Sequence, residues 1–434
     1  MAIKRYMDIA VAPFVALLAF VLFHQKGIGM VADGRAVWEG AVNLVAGNGY
    51  SYFSGNPVIA WPPLYSIYLG LWTMFLGPTG WSLLLSNGLL IVLQAFFWNS
   101  FMRTIARQSG VSLSTFQSFV LSLFLGLYIA LQLRSVLSYN LLYVFMPLYL
   151  DVLWRCFRAK GTRVKVEEIL LVSLLGTLML LTHNLAIAFV IAGSAVILLA
   201  RTRAKWSFVL WTVPWITTLT LGVPVVIWDR VRALFNQTGS HYVGFGAGKD
   251  GPFQYAYHLL WGPGRLLMFD KLIFNTLNIS IGASILLVTA ILYLMYRDRR
   301  AVALHFSTLF VLVSSAVLYG MFNMTWIYSA LAATTYIMFI PLILCPAAYI
   351  TAISQKIRWA TPIAVAMLVQ QLYWTSMWAI GQYTSTLADL DFPKSFASPE
   401  AYISSTYRSG PPVRTPLGVL IPSTTEEEPR GRRM

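Results

Sequence analysis

The chain has 434 residues, 58% of them hydrophobic and 11% charged, with a formal net charge of +15. A soluble domain carries about a quarter charged residues, so a soluble globular enzyme is excluded. The basic residues gather in short segments between apolar runs, as in the cytoplasmic loops of membrane proteins, so the charge does not point to nucleic acid.

Apolar runs of about 17–24 residues recur along most of the length, each long enough to cross a hydrocarbon core. They predict an all-α polytopic membrane protein of about 11 transmembrane helices. Lys4 and Arg5 precede the first run and put the N-terminus in the cytoplasm. In chain order the spans fall at 8–24, 80–102, 114–133, 137–154, 167–182, 184–200, 207–227, 276–296, 303–322, 327–350 and 360–380. This threading keeps Arg103 and Arg107, Arg155 to Lys165, Arg201 to Lys205, Arg297 to Arg300, and Lys356 with Arg358 on the cytoplasmic side. The first run lacks a small-residue cleavage site and many spans follow it, so it reads as a retained helix. Cys156 and Cys345 lie in or beside apolar runs, where neither a disulfide nor a zinc site is expected.

The first extracytoplasmic loop covers residues 25–79. Within it Val37, Ala41, Leu44 and Val45 recur at helical spacing and predict a helix over 33–45. Asp33 suits the N-cap or first turn of that helix, where a carboxylate accepts orphan backbone N–H groups. Gly47 and Gly49 then break the helix. Glu39 lies six residues after Asp33, off its helix face, so the two do not make a paired-carboxylate site, and Glu39 reads as a surface residue. Further on, "WPPLYSIYLGLWTMFLGP" is apolar and aromatic, but short for a span between Pro63 and Pro78. An interfacial helix along the outer leaflet keeps the flanking charges on their proper sides.

A second outer loop covers 228–275. Arg230 and Arg232 follow the seventh span beside Asp229, and "TGSHYVGFGAGKDGPFQY" carries His241 and Lys249 among glycines. Such glycines can expose backbone N–H groups to a phosphate, or the stretch is a plain loop. Arg265 is explained by snorkelling at an aromatic belt. The transmembrane domain thus covers 1–380, and 381–434 forms an extracytoplasmic polar tail whose last dozen residues read as disordered. No internal repeat supports an inverted-repeat transporter.

The order of features in the first loop carries more than any one of them. An acid follows the first span, then come a short helix, "AGNGYSY" and "WPPLYSIYL". This resembles the first extracytoplasmic loop of the GT-C superfamily of membrane glycosyltransferases, in particular the bacterial branch related to protein mannosyltransferases and lipid A sugar transferases. The matching residues are Asp33, Ala41, Leu44, Gly47, Gly49, Tyr50, Pro62, Pro63, Leu64 and Tyr65. The resemblance runs more weakly through the span pattern to residue 350.

It implies an inverting hexosyl- or pentosyltransferase of the cell envelope, multi-pass in the cytoplasmic membrane, with its C-terminus outside. The donor would be a sugar on a polyprenyl phosphate; the acceptor a lipid, glycan or protein; membrane lipids surround it and no nucleic acid is involved. Asp33 would be the catalytic base, with or without a divalent cation, and no cofactor is certain. Tyr50, Tyr65, Asn140, His241 and Lys249 would line the substrate cavity. His183, in "LLTHNLAIAF", stands where the family usually has Arg, and with Arg230 and Arg232 would hold the donor phosphate. His183 would do so protonated, coupling activity to pH. Its bland reading is a polar residue in a tight His-Asn connection. Thr335, beside Tyr336 and Pro341, replaces a second family Arg, and Asn140, after Ser138 and Tyr139, replaces an acid. These departures keep a second reading open: a catalytically degenerate relative or a non-enzymatic membrane protein, such as a polysaccharide-assembly subunit or a transporter. The scarcity of charge inside spans stands against the transporter. Asp151, the main exception, sits four residues from Arg155 near a cytoplasmic end.

Overall fold

The structure is a computed structural model. It describes residues 2–24, 28, 32–53, 55, 58, 61–132, 136–158, 166–200, 289, 291–297, 301–323, 329–355, 409–414 and 420–424. The helices, in chain order, are α1 (Ala2–Phe23), α2 (Ala32–Ala46), α3 (Leu64–Leu76), α4 (Gly80–Gln108), α5 (Thr115–Gln132), α6 (Tyr139–Arg158), α7 (Val166–Thr182), α8 (Ala186–Ala200), α9 (Val302–Asn323) and α10 (Ser329–Ser354). A further helical turn covers 291–297. Each apolar run within the described residues has become a helix with nearly the expected bounds. The runs at 207–227 and 360–380, most of the run at 276–296, the second outer loop at 228–275, and the tail apart from 409–414 and 420–424 lie outside the described residues.

By length and composition alone, α4 is the one described helix long and apolar enough to cross a membrane. Its 29 residues rise about 44 Å at 1.5 Å each. Thr79 caps its start, accepting from the Ser82 N–H, and Arg107 complements the dipole in its last turn. Around α4 pack α1, α3, α5, α6 and α10. Gly126 of α5 lets the α1 main chain come close, since a methyl there would lie 2.6 Å from the Ala12 carbonyl oxygen. Small residues serve this purpose between membrane helices. On the other side α6 packs on α7 and α8, α8 on α9, and α9 on α10.

The interfacial-helix expectation for 61–78 becomes α3. Tyr65, Ser66, Leu69, Gly70 and Thr73 face the bundle, while Ile67, Leu71 and Phe75, at i, i+4 and i+8, are exposed. One stripe is packed on protein and the other is apolar and open, as suits a helix lying against lipid. Exposed Phe14, Leu18, Val21 and Leu22 on α1 repeat the pattern. Apolar surface of this extent is suited to lipid rather than water, and the chain is a membrane protein.

The tail departs from the all-α expectation. Strands β1 (Ser409–Arg414) and β2 (Leu420–Thr424) form an antiparallel hairpin, with Ser409 opposite Thr424 and Arg414 opposite Leu420. The β2 strand touches α2.

Candidate functional site

Asp33 takes the second position of α2, in the first turn, where the helix dipole favours a carboxylate. The next residue fixes what lies beside it. Gly34 meets the main chain of Val136, and a methyl at Gly34 would collide with the Val136 carbonyl oxygen. Val136 belongs to the connection that enters α6 at Tyr139. The opening of α2 is thereby pressed onto the approach to α6.

Tyr139 leads to the next member. Its ring stacks on His183, with centroids 4.3 Å apart and an interplanar angle of 23°. Trp61, just before α3, flanks the same imidazole at 5.3 Å and 57°. His183 directly follows Thr182, the last residue of α7. Residues far apart in sequence therefore meet around one imidazole at one end of the bundle.

His183 is 4% exposed. Its Nδ1 accepts a hydrogen bond from the Leu185 N–H at 3.0 Å, so the neutral ring carries its proton on Nε2. Nε2 has no partner among the described residues. An unpaired buried N–H costs about 1–3 kcal/mol, and native proteins direct such groups at a water, an ion or a ligand. Burial pushes the imidazole pKa down to about 3. The expectation of a protonated His183 is corrected accordingly: desolvation makes it a neutral donor at physiological pH.

The loop after α2 is held by buried polar side chains of that helix. Glu39 is not a surface residue. It is 2% exposed, accepts from the Phe53 N–H at 2.9 Å, and pairs with Arg35 at 2.6 Å. It faces inward because the loop folds back over α2. Asn43 completes the tie, donating to the carbonyls of Ser51 and Tyr52 at 2.9 and 2.8 Å. Gly47 and Gly49 make the turn with φ of 82° and 76°, in the left-handed region.

Tyr50 lies over Gly40, where a methyl would strike its ring. Its hydroxyl donates to the Trp61 carbonyl at 3.0 Å and accepts from Ser66 Oγ at 3.2 Å. Ser66 Oγ also reaches the Val37 carbonyl at 2.8 Å. Tyr50 thus fixes Trp61 from below.

Tyr65 and Asn140 turn inward and meet on Asn87 of α4. The Tyr65 hydroxyl and Asn140 Nδ2 both donate to Asn87 Oδ1, at 2.8 and 2.7 Å. Gln94, seven residues on, donates to the Asn140 carbonyl at 2.7 Å. Burial drives the Tyr65 hydroxyl pKa well above its ordinary value, so it stays protonated as a donor.

Arg230, Arg232, His241 and Lys249 lie outside the described residues, and Thr335, Tyr336 and Pro341 fall within α10. Among the described residues no three His, Cys, Asp or Glu side chains gather to hold a metal ion. Sequence reasoning missed Asn87, Gln94 and the role of Trp61. The signal for the first two was present: amides seven apart in an apolar span share a face and call for polar partners.

No protein-family model matches the chain, and no curated protein matches it. Among solved structures it is similar to ArnT from Cupriavidus metallidurans bound to undecaprenyl phosphate. That similarity has 13% identity and a TM-score of 0.43, over 88% of this chain and 77% of the other. The apo form of the same protein gives 13% identity and a TM-score of 0.46, over 88% and 78%. An Archaeoglobus fulgidus oligosaccharyltransferase in complex with zinc and sulfate gives 12% identity and a TM-score of 0.45, over 86% of this chain and 52% of that one.

Proposed function

We propose that the protein is a membrane glycosyltransferase of GT-C type, moving a sugar from a polyprenyl-phosphate carrier to a hydroxyl acceptor at the outer face of the cytoplasmic membrane. The acceptor is a lipid, a glycan or a protein. One observation carries the reading: Gly34 sets the first turn of α2, with Asp33 in it, against the segment leading to Tyr139, whose ring stacks on His183, and His183 Nε2 has no partner among the described residues. The sequence motif that resembles the family and this convergence involve the same loop. The contact of β2 with α2 supports placing the tail and the first loop on one side of the membrane.

The chemistry is a single displacement. The acceptor hydroxyl oxygen attacks the anomeric carbon while the bond from that carbon to the phosphate oxygen breaks. Asp33 takes the hydroxyl proton as general base. The polyprenyl phosphate departs with the bonding electron pair, and the anomeric centre inverts. His183 Nε2–H donates to a phosphate oxygen, and Arg230 and Arg232 supply the positive charge that a neutral imidazole lacks. His241 and Lys249 are further substrate contacts in this reading. Tyr50, Tyr65 and Asn140 hold its walls.

The test is transfer of radiolabelled sugar from a polyprenyl-phosphate donor by the purified protein in lipid, alongside a titration with undecaprenyl phosphate. Saturable binding with transfer is expected. Absence of both sinks the reading. His183, Thr335 and Asn140, which stand where the family usually has charged residues, favour a second one, a catalytically degenerate relative that binds the lipid phosphate as an assembly subunit. Binding without transfer selects that alternative.

A further inference from the structure

We infer that Asn87 is a positioning residue of this site, setting the separation of the two aromatic walls that hold His183. The inference rests on the reading of the His183 region as the functional site. Asn87 is fully buried on α4 and its side chain is saturated. Oδ1 accepts from Tyr65 and from Asn140, and Nδ2 donates to the Leu83 carbonyl at 2.8 Å. Tyr65 is four residues after Trp61, and Asn140 is the neighbour of Tyr139. A single amide oxygen therefore ties together the two chain segments that carry the rings packed against the imidazole.

Other contacts hold each segment as well. Gln94 holds only the α6 side, through the Asn140 carbonyl. Tyr50 and Ser66 join Trp61 and α3 to α2, which Gly34 sets against Val136. Asn87 is a described side chain that joins both segments, and Tyr65, which donates to it, also reaches Asn140 and the Leu137 main chain. The hydrogen bond from Leu185 fixes which imidazole nitrogen bears the proton, and the stacked Tyr139 fixes the plane of the ring. Loss of the bridge lets the walls part, and with them goes the fixed aim of Nε2–H.

The experiment is nitrogen-15 NMR of histidine-labelled full-length protein in lipid nanodiscs, with His183 assigned by its loss in His183→Gln. In the natural protein the two ring nitrogens give separate resonances, one protonated and one accepting, and these do not move between pH 6 and 8. Asn87→Leu is expected to collapse them toward averaged positions. Tyr65→Phe removes one strut with little packing loss, serves as the second variant should Asn87→Leu fail to fold, and is expected to shift the same resonances. Ser122→Ala removes a buried contact to Asn99, about 18 Å further along α4 at 1.5 Å per residue, and is expected to leave them in place. An unchanged His183 spectrum in folded Tyr65→Phe overturns the inference, as does an equal shift in Ser122→Ala. Transfer activity is read separately. A kcat loss of about tenfold to a hundredfold in Asn87→Leu, with KM nearly unchanged, supports misplacement rather than lost binding. Shifted resonances in a protein without transfer uphold the role of Asn87 and sink the transferase reading.

Discussion

Gly34 lies so close to the carbonyl of Val136 that no side chain fits between them. Two effects oppose one another in Gly34→Ala. Alanine gains about 1 kcal/mol of helix propensity over glycine, whereas forcing an atom into a packed contact costs about 1–3 kcal/mol. The neighbour here is main chain, which cannot rotate away, so the clash wins. Gly34→Ala is expected to lower the melting temperature and reduce transfer. Gly88→Ala is the comparison, because a methyl there meets only the edge of Phe20 at 3.4 Å. It is expected to be neutral or slightly stabilising. Equal melting temperatures for the two variants would remove Gly34 from the account of the site.

Asp33→Asn keeps the shape and the helix-start position while removing the base. Expected is a loss of transfer of about a hundredfold or more, the range of general-base catalysis. Binding of undecaprenyl phosphate should persist, since the phosphate contacts are assigned to other residues. Full transfer activity in this variant would be incompatible with Asp33 as base. A melting temperature that falls as far as the activity would return Asp33 to a capping role alone.

Glu39 was the plainest misreading from sequence, and its pair with Arg35 is not the main source of its effect. The Arg35 side chain is 46% exposed, so the ion pair is screened and worth little. The buried hydrogen bond to the Phe53 N–H matters more. Glu39→Ala strands that donor and is expected to cost about 1–3 kcal/mol, while Glu39→Gln keeps an acceptor and should cost less than about 1 kcal/mol. Thermal unfolding of the two variants decides. Matching losses would mean that the charge, not the loop tether, is what Glu39 contributes.

The helices were legible because apolar runs and charge clusters are local signals. Gly47 and Gly49 likewise announced a turn that adopts positive φ. Burial of Glu39 was not legible, since its periodicity places it on a polar face until residues 47–53 fold back over that face. The meeting of Tyr139, Trp61 and His183 depends on contacts between segments more than forty residues apart in sequence, which no window along the chain reports. Asn87 and Gln94 fell between these cases: their spacing hinted at a shared face, but not at which helix would answer it. The charge state of His183 depended on enclosure, and enclosure is a property of the packed bundle.

That enclosure has a consequence for acid stability. In the unfolded chain His183 titrates near the ordinary value of about 6.5, whereas in the folded protein burial lowers its pKa to about 3. Between those values the unfolded state binds more protons than the native state, so stability rises with pH across the window. The contribution of the neutral imidazole is therefore complete above about pH 6.5 and is lost progressively as pH falls toward about 3. His183→Gln has no such proton to bind. Melting temperatures of the natural protein and His183→Gln, measured in nanodiscs from pH 7 to pH 4, should differ in slope, with the natural protein falling more steeply. Parallel curves would mean that His183 is already protonated or open to water in the native state. The neutral-donor role would then give way to a cationic one.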